Sequence, residues 1–455
     1  MEKREDSLNL KIKSLTNEFK EQIKKQKEIL IVSHFDTDGI TSATIMLQTL
    51  RKLDKTFSVK IVKSLEKETI NNLPKDKLII FLDLGSGNIH DIIENNLDFF
   101  IIDHHEIDSI DSEKINILNP ELHEKQKISA SGLTYLFCKE LIKNTEEFSK
   151  LSVLGMIGDL LEKEIGKLNH KILKDSQVKK KTGLMIYPST KPINRTLEFC
   201  HNPFLSGITG DSQGVLQFLR ETGIKPENGK YKSLIELSKQ EMEKLVTGIA
   251  LRNPNIKDKD LIGDIFLIKF FNKLEDAREL SAKINACSRM GETTKAILFC
   301  LENKKYKKEI NSIYAKYKQE IVSALKLVEK IKIQGQGYLI INAKDKIKDT
   351  IIGTIATILA KSSLYPDGTI IISMAYSEKN KIKISARGVG ENYRNVRELL
   401  KGIIKITNGE TGGHNVAAGA YIPLEKEQEF IELIKKNIEI EVVPIVKKQK
   451  EKSSQ

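Results

Sequence analysis

Three short apolar runs constrain the fold of this chain most strongly, because each ends in a cluster of aspartate and histidine residues. Residues 29–33 lead into His-Phe-Asp-Thr-Asp-Gly, residues 78–82 into an aspartate, and residues 99–102 into Asp-His-His. Each run is continuous rather than alternating in polarity, which is typical of strands covered on both faces. Helical stretches lie between the runs, and this alternation favours right-handed crossovers. The sequence therefore predicts an α/β fold with a mostly parallel sheet.

The chain divides into segments of different texture. We predict a charged N-terminal helix over 1–28, a catalytic α/β domain over 29–200, and a helical, Lys/Glu-rich insert or linker over 201–335. Strand and helix patterns then resume and predict a second, smaller α/β domain over 336–440, which we expect to bind substrate. A basic tail follows over 441–455.

Composition excludes several classes of protein. The 455 residues suffice for about three domains at roughly 150 residues each. The net charge of +12 is a weak indication of a polyanionic partner, since most of the basic residues are lysines that also solvate helix surfaces. No apolar run approaches the roughly 18–20 residues of a membrane span, the first residues lack a signal peptide, and the four cysteines form no disulfide or zinc-finger pattern. We expect a cytoplasmic protein with no membrane segment.

The polar clusters at the predicted strand ends carry the residues that could perform chemistry. Ligands of parallel sheets bind at the carboxyl ends of the strands, so side chains from separate strands are expected to meet there. The candidate set is His34, Asp36, Asp38, Asp83, Asp103, His104, His105 and, from a predicted helix, Asp159. Carboxylates in such a cluster repel each other unless cations neutralise them. Carboxylate and imidazole donors without thiolate favour Mn²⁺, with Mg²⁺, Co²⁺ or Zn²⁺ as alternatives.

Two divalent ions that share a carboxylate have a specific chemical use. Such a pair lowers the pKa of a bridging water and stabilises the attacking and leaving oxygens of an in-line displacement at phosphorus. The sequence has no Walker P-loop, which disfavours work driven by nucleoside triphosphates. The residue types therefore predict a metal-dependent hydrolase of a phosphate ester or anhydride.

The clusters resemble, in order, the four motifs of the DHH phosphoesterase superfamily. The stretch Gly412-Gly-His414 is similar to the Gly-Gly-His motif of the DHH-associated C-terminal domain. Within the superfamily, residues 285–291 (Asn-Ala-Cys-Ser-Arg-Met-Gly) are similar to a stretch of the archaeal RecJ-like nucleases, although Ser288 stands where that group has glycine. The resemblance extends over nearly the whole chain.

The resemblance implies a role for each matching residue. One ion would be held by His34, Asp36 and Asp83, and the other by Asp38, Asp83, His104 and Asp159, which makes Asp83 the shared ligand. His105 would act near the scissile phosphate, with Asp103 holding a neighbouring histidine. The residues expected to bind substrate phosphate are Ser385, Arg387, Gly412, Gly413 and His414. Simpler interpretations stay open for three of the residues given a role here. Arg387 could form a surface ion pair, His414 could cap a turn, and His105 could make a structural contact.

The implied function is a two-metal, single-strand-specific exonuclease of DNA replication or repair. It would hydrolyse single-stranded DNA, and RNA as a further candidate, to nucleoside 5′-monophosphates, with replication-fork proteins as candidate partners. One alternative is a phosphodiesterase for short oligoribonucleotides or cyclic dinucleotides, which the long insert disfavours. The other is a replisome scaffold subunit, which the retention of every metal ligand disfavours.

Overall fold

Two compact units make up the computed structural model of this chain. The first unit comprises residues 1–191, 233–236 and 262–315, and the second comprises residues 192–232, 237–261 and 316–455. The structure describes residues 2–25, 28–107, 115–123, 125–200, 205, 207–252, 261–362, 364–390, 394–407 and 409–438. The basic tail predicted over 441–455 lies outside the described residues.

Fourteen strands are named here in chain order within this described part. They are β1 (Ile29–His34), β2 (Phe57–Val62), β3 (Leu78–Leu82), β4 (Asp98–Ile102), β5 (Ile117–Leu118), β6 (Lys179–Leu184), β7 (Ile262–Phe270), β8 (Lys273–Asp276), β9 (Lys332–Gly335), β10 (Tyr338–Asn342), β11 (Ile370–Tyr376), β12 (Lys381–Gly388), β13 (Glu410–His414) and β14 (Ala417–Pro423).

The helices are numbered in the same way. They are α1 (Glu2–Lys24), α2 (Thr37–Lys52), α3 (Lys67–Asn71), α4 (Ile89–Glu94), α5 (Ala130–Leu141), α6 (Glu146–Gly158), α7 (Lys167–Asp175), α8 (Ile193–Glu198), α9 (Ser212–Glu221), α10 (Lys239–Arg252), α11 (Ala277–Arg289), α12 (Thr293–Cys300), α13 (Lys307–Ile331), α14 (Asp349–Ala360), α15 (Val396–Thr407) and α16 (residues 427–438). Among the described residues, none of these helices is long and apolar enough to cross a membrane.

The main sheet of the first unit confirms the predicted parallel α/β fold. Its strand order is β2-β1-β3-β4-β5, and every neighbouring pair is parallel. One face packs with Phe19 of α1 and with buried residues of α2, α5 and α6, while the other packs with Ile70 of α3 and Ile92 of α4. This double coverage explains why β3 is an unbroken run of buried apolar residues.

A second sheet of the first unit lies partly inside the segment 201–335, for which we predicted helices. Strands β6, β7 and β8 form an antiparallel sheet in that order, and of these strands β7 and β8 lie inside that segment. The run Ile265–Ile268 is buried on β7, and this short apolar segment between charged residues is the signal for a strand. Helix α11 follows directly and begins at its cap Asp276.

The second unit is built on a mixed sheet, as expected for a smaller α/β domain. Its strand order is β13-β14-β12-β11-β10-β9, with β10 and β11 parallel and the other pairs antiparallel. One face of this sheet packs against α15 and α16, with Phe430 fully buried. Helix α14 packs against β11 and β12.

Candidate metal centre

The candidate site lies at the carboxyl ends of β1 and β3 in the first unit. With the strand order 2-1-3-4-5, the chain proceeds to β2 on one side of β1 and to β3 on the other, so the crossovers diverge between β1 and β3. This divergence leaves a crevice at the strand ends, which is where open α/β sheets bind ligands. His34 ends β1, and Asp83 directly follows β3.

The loop after β1 is held by its own aspartates. Asp36 is the N-cap of α2, and its carboxylate accepts a hydrogen bond of 3.0 Å from the amide of Gly39. A methyl group at Gly39 would overlap the carbonyl of His34, so glycine is needed for the loop to turn back this closely. His34 Nδ1 lies 3.1 Å from Asp36 Oδ2, which brings the two ends of the loop into one site.

Asp38 is fully buried and is anchored by a helix that begins 92 residues later in the sequence. Its two carboxylate oxygens accept hydrogen bonds from the amides of Ala130 and Ser131, at 2.6 and 3.0 Å, in the first turn of α5. The helix N-terminus favours negative charge there. Gly155 of α6 permits this arrangement, because a side chain at that position would overlap Asp38 and Ser131.

Asp83 occupies the centre of the cluster. It adopts φ of +59°, a left-handed conformation that aspartate tolerates better than most residues and that often marks functional sites. Its Oδ2 lies 3.2 Å from His34 Nδ1, and its Oδ1 lies 3.4 Å from His104 Nε2. The two oxygens therefore face two different histidines.

The remaining ligand candidates lie around His104, next to Asp83. His104 Nε2 lies 3.3 Å from Asp159 Oδ2 and 4.0 Å from Asp38 Oδ2. Donor atoms that fall within 4.8 Å of one another define three overlapping sets. These sets are His34/Asp36/Asp83, Asp38/His104/Asp159 and Asp83/His104/His105. The structure thus brings together all six residues expected to bind metal.

Asp103 is held differently from the other carboxylates. Its Oδ1 accepts hydrogen bonds from the amides of His104 and His105 and lies 2.7 Å from His105 Nδ1, while its Oδ2 accepts from the amide of Ser86. Asn119 supports the same loop by donating to the Ser86 hydroxyl and to the His105 carbonyl. The His105 ring is therefore fixed through Nδ1, and its side chain is 43% exposed.

The charges in this cluster are strongly coupled. Burial and the nearby Asp83 raise the pKa of Asp38 to about 6, and burial together with Asp38 raises the pKa of Asp159 well above its usual range. Burial opposes the charge on His104, but Asp83 and Asp38 outweigh it and raise the pKa of His104 to about 9. Asp36 likewise overcomes the burial of His34 and raises its pKa. Without bound cations, protonated carboxyl groups and imidazolium rings therefore offset negative charge within this cluster.

The donor set fits a pair of divalent cations. Within the described part of the chain, Asp83 Oδ1 and Asp159 Oδ2 are buried oxygens that accept no well-aligned hydrogen bond, although His104 Nε2 lies 3.4 and 3.3 Å from them. Buried polar atoms in native proteins are almost always satisfied, so these two need an explanation. Cations held between the carboxylates and imidazoles would supply it, and the absence of thiolates suits Mn²⁺ or Mg²⁺.

The residues expected to bind substrate lie in the second unit. Ser385 and Arg387 are on β12, and the register places Arg387 opposite Ala417 of β14, which in turn lies opposite His414 of β13. Gly412 and Gly413 are exposed on the same strand, β13. The side chain of His414 lies outside the described part of the structure.

Several contributors to the site were not predicted from the sequence. The amides of Ala130 and Ser131 act through the backbone, and the signal for them was the Ser-Ala-Ser-Gly stretch at the start of α5. Asn119 precedes a proline, a pair that usually marks a turn, and nothing in the sequence connects it with His105. Thr37 is a third case, since its hydroxyl donates to the carbonyl of Ser281 in α11.

Three models of known protein families match this chain. The DHH family N-terminal domain matches residues 28–158, the DHH-CID domain matches residues 187–256, and the DHHA1 domain matches residues 335–439. An uncharacterised protein of Methanocaldococcus jannaschii is 31% identical over 441 residues, covering 93% of this chain and 96% of that protein. The protein belongs to the DHH family.

Other relatives of this DHH protein are more distant. The single-stranded-DNA-specific exonuclease RecJ of Bacillus subtilis is 26% identical over 166 residues, which are 33% of this chain and 21% of that enzyme. RecJ of Thermus thermophilus in complex with Mn²⁺ has a TM-score of 0.59 at 16% identity, with 94% of this chain and 54% of that one covered. The DHH protein thus spans about half the length of that RecJ chain.

The fold of this chain is also similar to that of CDC45. CDC45 of Entamoeba histolytica superposes with a TM-score of 0.65 at 13% identity, over 93% of this chain and 98% of that one. At this identity the likeness establishes the fold alone. DHH family members are metal-dependent phosphoesterases. The clustered aspartates and histidines of this chain are the residues that such an activity would use.

Proposed function

We propose that this protein is a two-metal, single-strand-specific exonuclease that hydrolyses phosphodiester bonds of DNA, and of RNA as a further candidate, to nucleoside 5′-monophosphates. Mn²⁺ is the favoured ion, with Mg²⁺ or Co²⁺ as alternatives. The observation that carries this proposal is the central position of Asp83, whose two oxygens contribute to two separate groups of ligands. A shared carboxylate is what a two-ion phosphodiesterase requires.

The individual side chains have distinct tasks in this proposal. When bound, divalent cations would lower the pKa of a water molecule and neutralise charge that develops on the phosphate oxygens. His34, Asp36 and Asp83 would hold one cation. Asp38, His104 and Asp159 would hold the other together with Asp83, whose Oδ1 lies 3.4 Å from His104 Nε2.

His105 has a separate role in the reaction. Its Nδ1–H donates to Asp103, so in the protonated ring Nε2–H would be left to donate to the departing oxygen or to the phosphate. In the second unit, Arg387 would bind a substrate phosphate by its planar, permanently charged guanidinium. Ser385, Gly412, Gly413 and His414 would supply further contacts to phosphate.

A scaffold role without catalysis is the second candidate, since the fold also matches CDC45. The clustering of buried carboxylates and histidines argues against it, because burying like charges together costs free energy unless cations are bound. Replication-fork proteins could still be partners of an active enzyme. Co-purification of the intact protein with fork components, compared with its nuclease activity, distinguishes an enzyme from a scaffold.

End-labelled strands test the proposed activity. Single-stranded DNA and RNA of about 30 nucleotides, each blocked at the 5′ or the 3′ end, are incubated with Mn²⁺ or Mg²⁺. We expect mononucleotide release from one unblocked end and little attack on a duplex of the same sequence. Faster hydrolysis of dinucleotides than of long strands would favour the short-oligoribonucleotide alternative, and no hydrolysis of any strand with either ion would contradict the proposal.

A further inference from the structure

One threonine on α14 contacts the arginine that we assign to substrate phosphate. The hydroxyl of Thr357 lies 3.0 Å from Nε of Arg387 and 3.0 Å from the carbonyl oxygen of Gly353. All three residues belong to the second unit, where α14 packs on β12. This threonine is outside the motifs by which the superfamily is recognised.

The chemistry of the three groups fixes the direction of both hydrogen bonds. A carbonyl oxygen can only accept, so the Thr357 hydroxyl donates its proton to Gly353. The Nε–H of arginine can only donate, so it donates to the lone pairs that remain on the Thr357 oxygen. The hydroxyl therefore presents an oriented acceptor to Arg387.

The guanidinium is also held at a second nitrogen. Nη1 of Arg387 donates to the carbonyl of Ala386 at 2.8 Å and lies 3.5 Å from the carbonyl of Ala418. With Nε and Nη1 both engaged, the plane of the guanidinium is fixed relative to β12. A methyl group at Gly353 would come within 3.0 Å of the Ser385 hydroxyl and 3.7 Å of Arg387 Nη2, so glycine leaves room beside both side chains.

We propose that Thr357 is a positioning residue that orients the Arg387 guanidinium toward a phosphate group of a single-stranded nucleic acid. An arginine side chain has high rotamer entropy, and a guanidinium that is oriented before binding loses less of it when it meets a phosphate. The inference rests on the proposed function, and it adds a residue that acts through Arg387 without contacting the substrate.

Matched threonine substitutions test this role. Thr357→Val keeps the shape of the side chain and removes the acceptor, whereas Thr357→Ser keeps the hydroxyl. Thr354→Val is the control, because Thr354 lies on the same helix and pairs with the hydroxyl of Tyr317 rather than with Arg387. Binding of a fluorescent, 5′-phosphorylated 12-nucleotide strand is followed by anisotropy in EDTA, so the readout does not depend on the metal centre.

We expect Thr357→Val to weaken binding about tenfold, as for a lost hydrogen bond to a charged group. With Mn²⁺ present, KM should rise by a similar factor while kcat changes less than twofold. Thr357→Ser and Thr354→Val should bind like the unmodified protein. In an Arg387→Ala background, Thr357→Val should cause no further loss, because the group that it orients is gone.

Two results would overturn the inference and a third would remove its basis. Thr357 does not act through Arg387 if the Thr357→Val variant binds the strand as tightly as the unmodified protein. The same conclusion follows if Thr357→Val weakens binding of the strand equally in the presence and absence of Arg387. If the unmodified protein neither binds nor hydrolyses the strand, the proposed function fails first and this role falls with it. Thermal unfolding of each variant reports separately on the fold.

Discussion

Replacement of Asp83 by asparagine tests the sharing of one carboxylate between two cations. Asparagine preserves the size of a side chain that is 2% exposed and removes the charge that faces both His34 and His104. Each cation would lose one ligand, whereas Asp36→Asn or Asp159→Asn affects one group of ligands. We therefore expect two Mn²⁺ ions per chain in the unmodified protein, one in each single-group variant, and none bound tightly in Asp83→Asn.

The catalytic effect follows from the same count of ligands. Removing one preorganised group that stabilises transition-state charge costs about 10²–10³ in kcat. If the losses at the two cations multiply, Asp83→Asn should lose about 10⁴ or more in kcat. Titration calorimetry with Mn²⁺ gives the number of ions, and single-strand hydrolysis gives the rate.

A surface aspartate provides the matched control for that experiment. Asp54 is exposed and has φ of +53°, a conformation that asparagine also tolerates, so Asp54→Asn should bind two ions and retain full activity. The reasoning would be refuted if Asp83→Asn still bound two ions, or if it kept more than a tenth of the activity of the Asp54→Asn control.

Three further predictions concern protons, packing and the second unit. Because the pKa of His104 is raised to about 9, its ring carries a proton at pH 7. Mn²⁺ must displace this proton, so the affinity for Mn²⁺ should increase from pH 7 to 9. Calorimetry in buffers of different ionisation enthalpy should show this proton release. Gly155→Ala should lower the free energy of unfolding by about 1–3 kcal/mol in urea, since its methyl group would overlap buried Asp38. Phe430→Ala should lower the free energy of unfolding in urea by about 3–5 kcal/mol, because it leaves a cavity where a fully buried ring was packed.

The strands that could be predicted from the sequence are those buried on both faces. Residues 78–82 and 338–342 are continuous apolar runs, and the structure has β3 and β10 over these same residues. The edge strand β2 was missed, because none of its residues is fully buried and its pattern gives no continuous run. The structure also has β7 where a helical segment was expected, because Lys- and Glu-rich helices on both sides dominate the composition of that region.

The candidate ligands could be predicted because they follow strands or precede glycines, where side chains are free to converge. Their supports could not be predicted, because these depend on pairs that are distant in the sequence. The amides that hold Asp38 come from α5, and Asn119 donates to the backbone carbonyl of His105. Thr357 likewise meets Arg387 only when α14 packs on β12, and no local pattern records that contact.

The location of bound manganese shows directly whether two cations share the Asp83 carboxylate. Crystals of the protein soaked in Mn²⁺ can be measured at the manganese absorption edge, where anomalous scattering marks each ion. We expect two peaks about 3.5–4 Å apart, one on each side of the Asp83 carboxylate. A single peak, or peaks that do not contact Asp83, would contradict it.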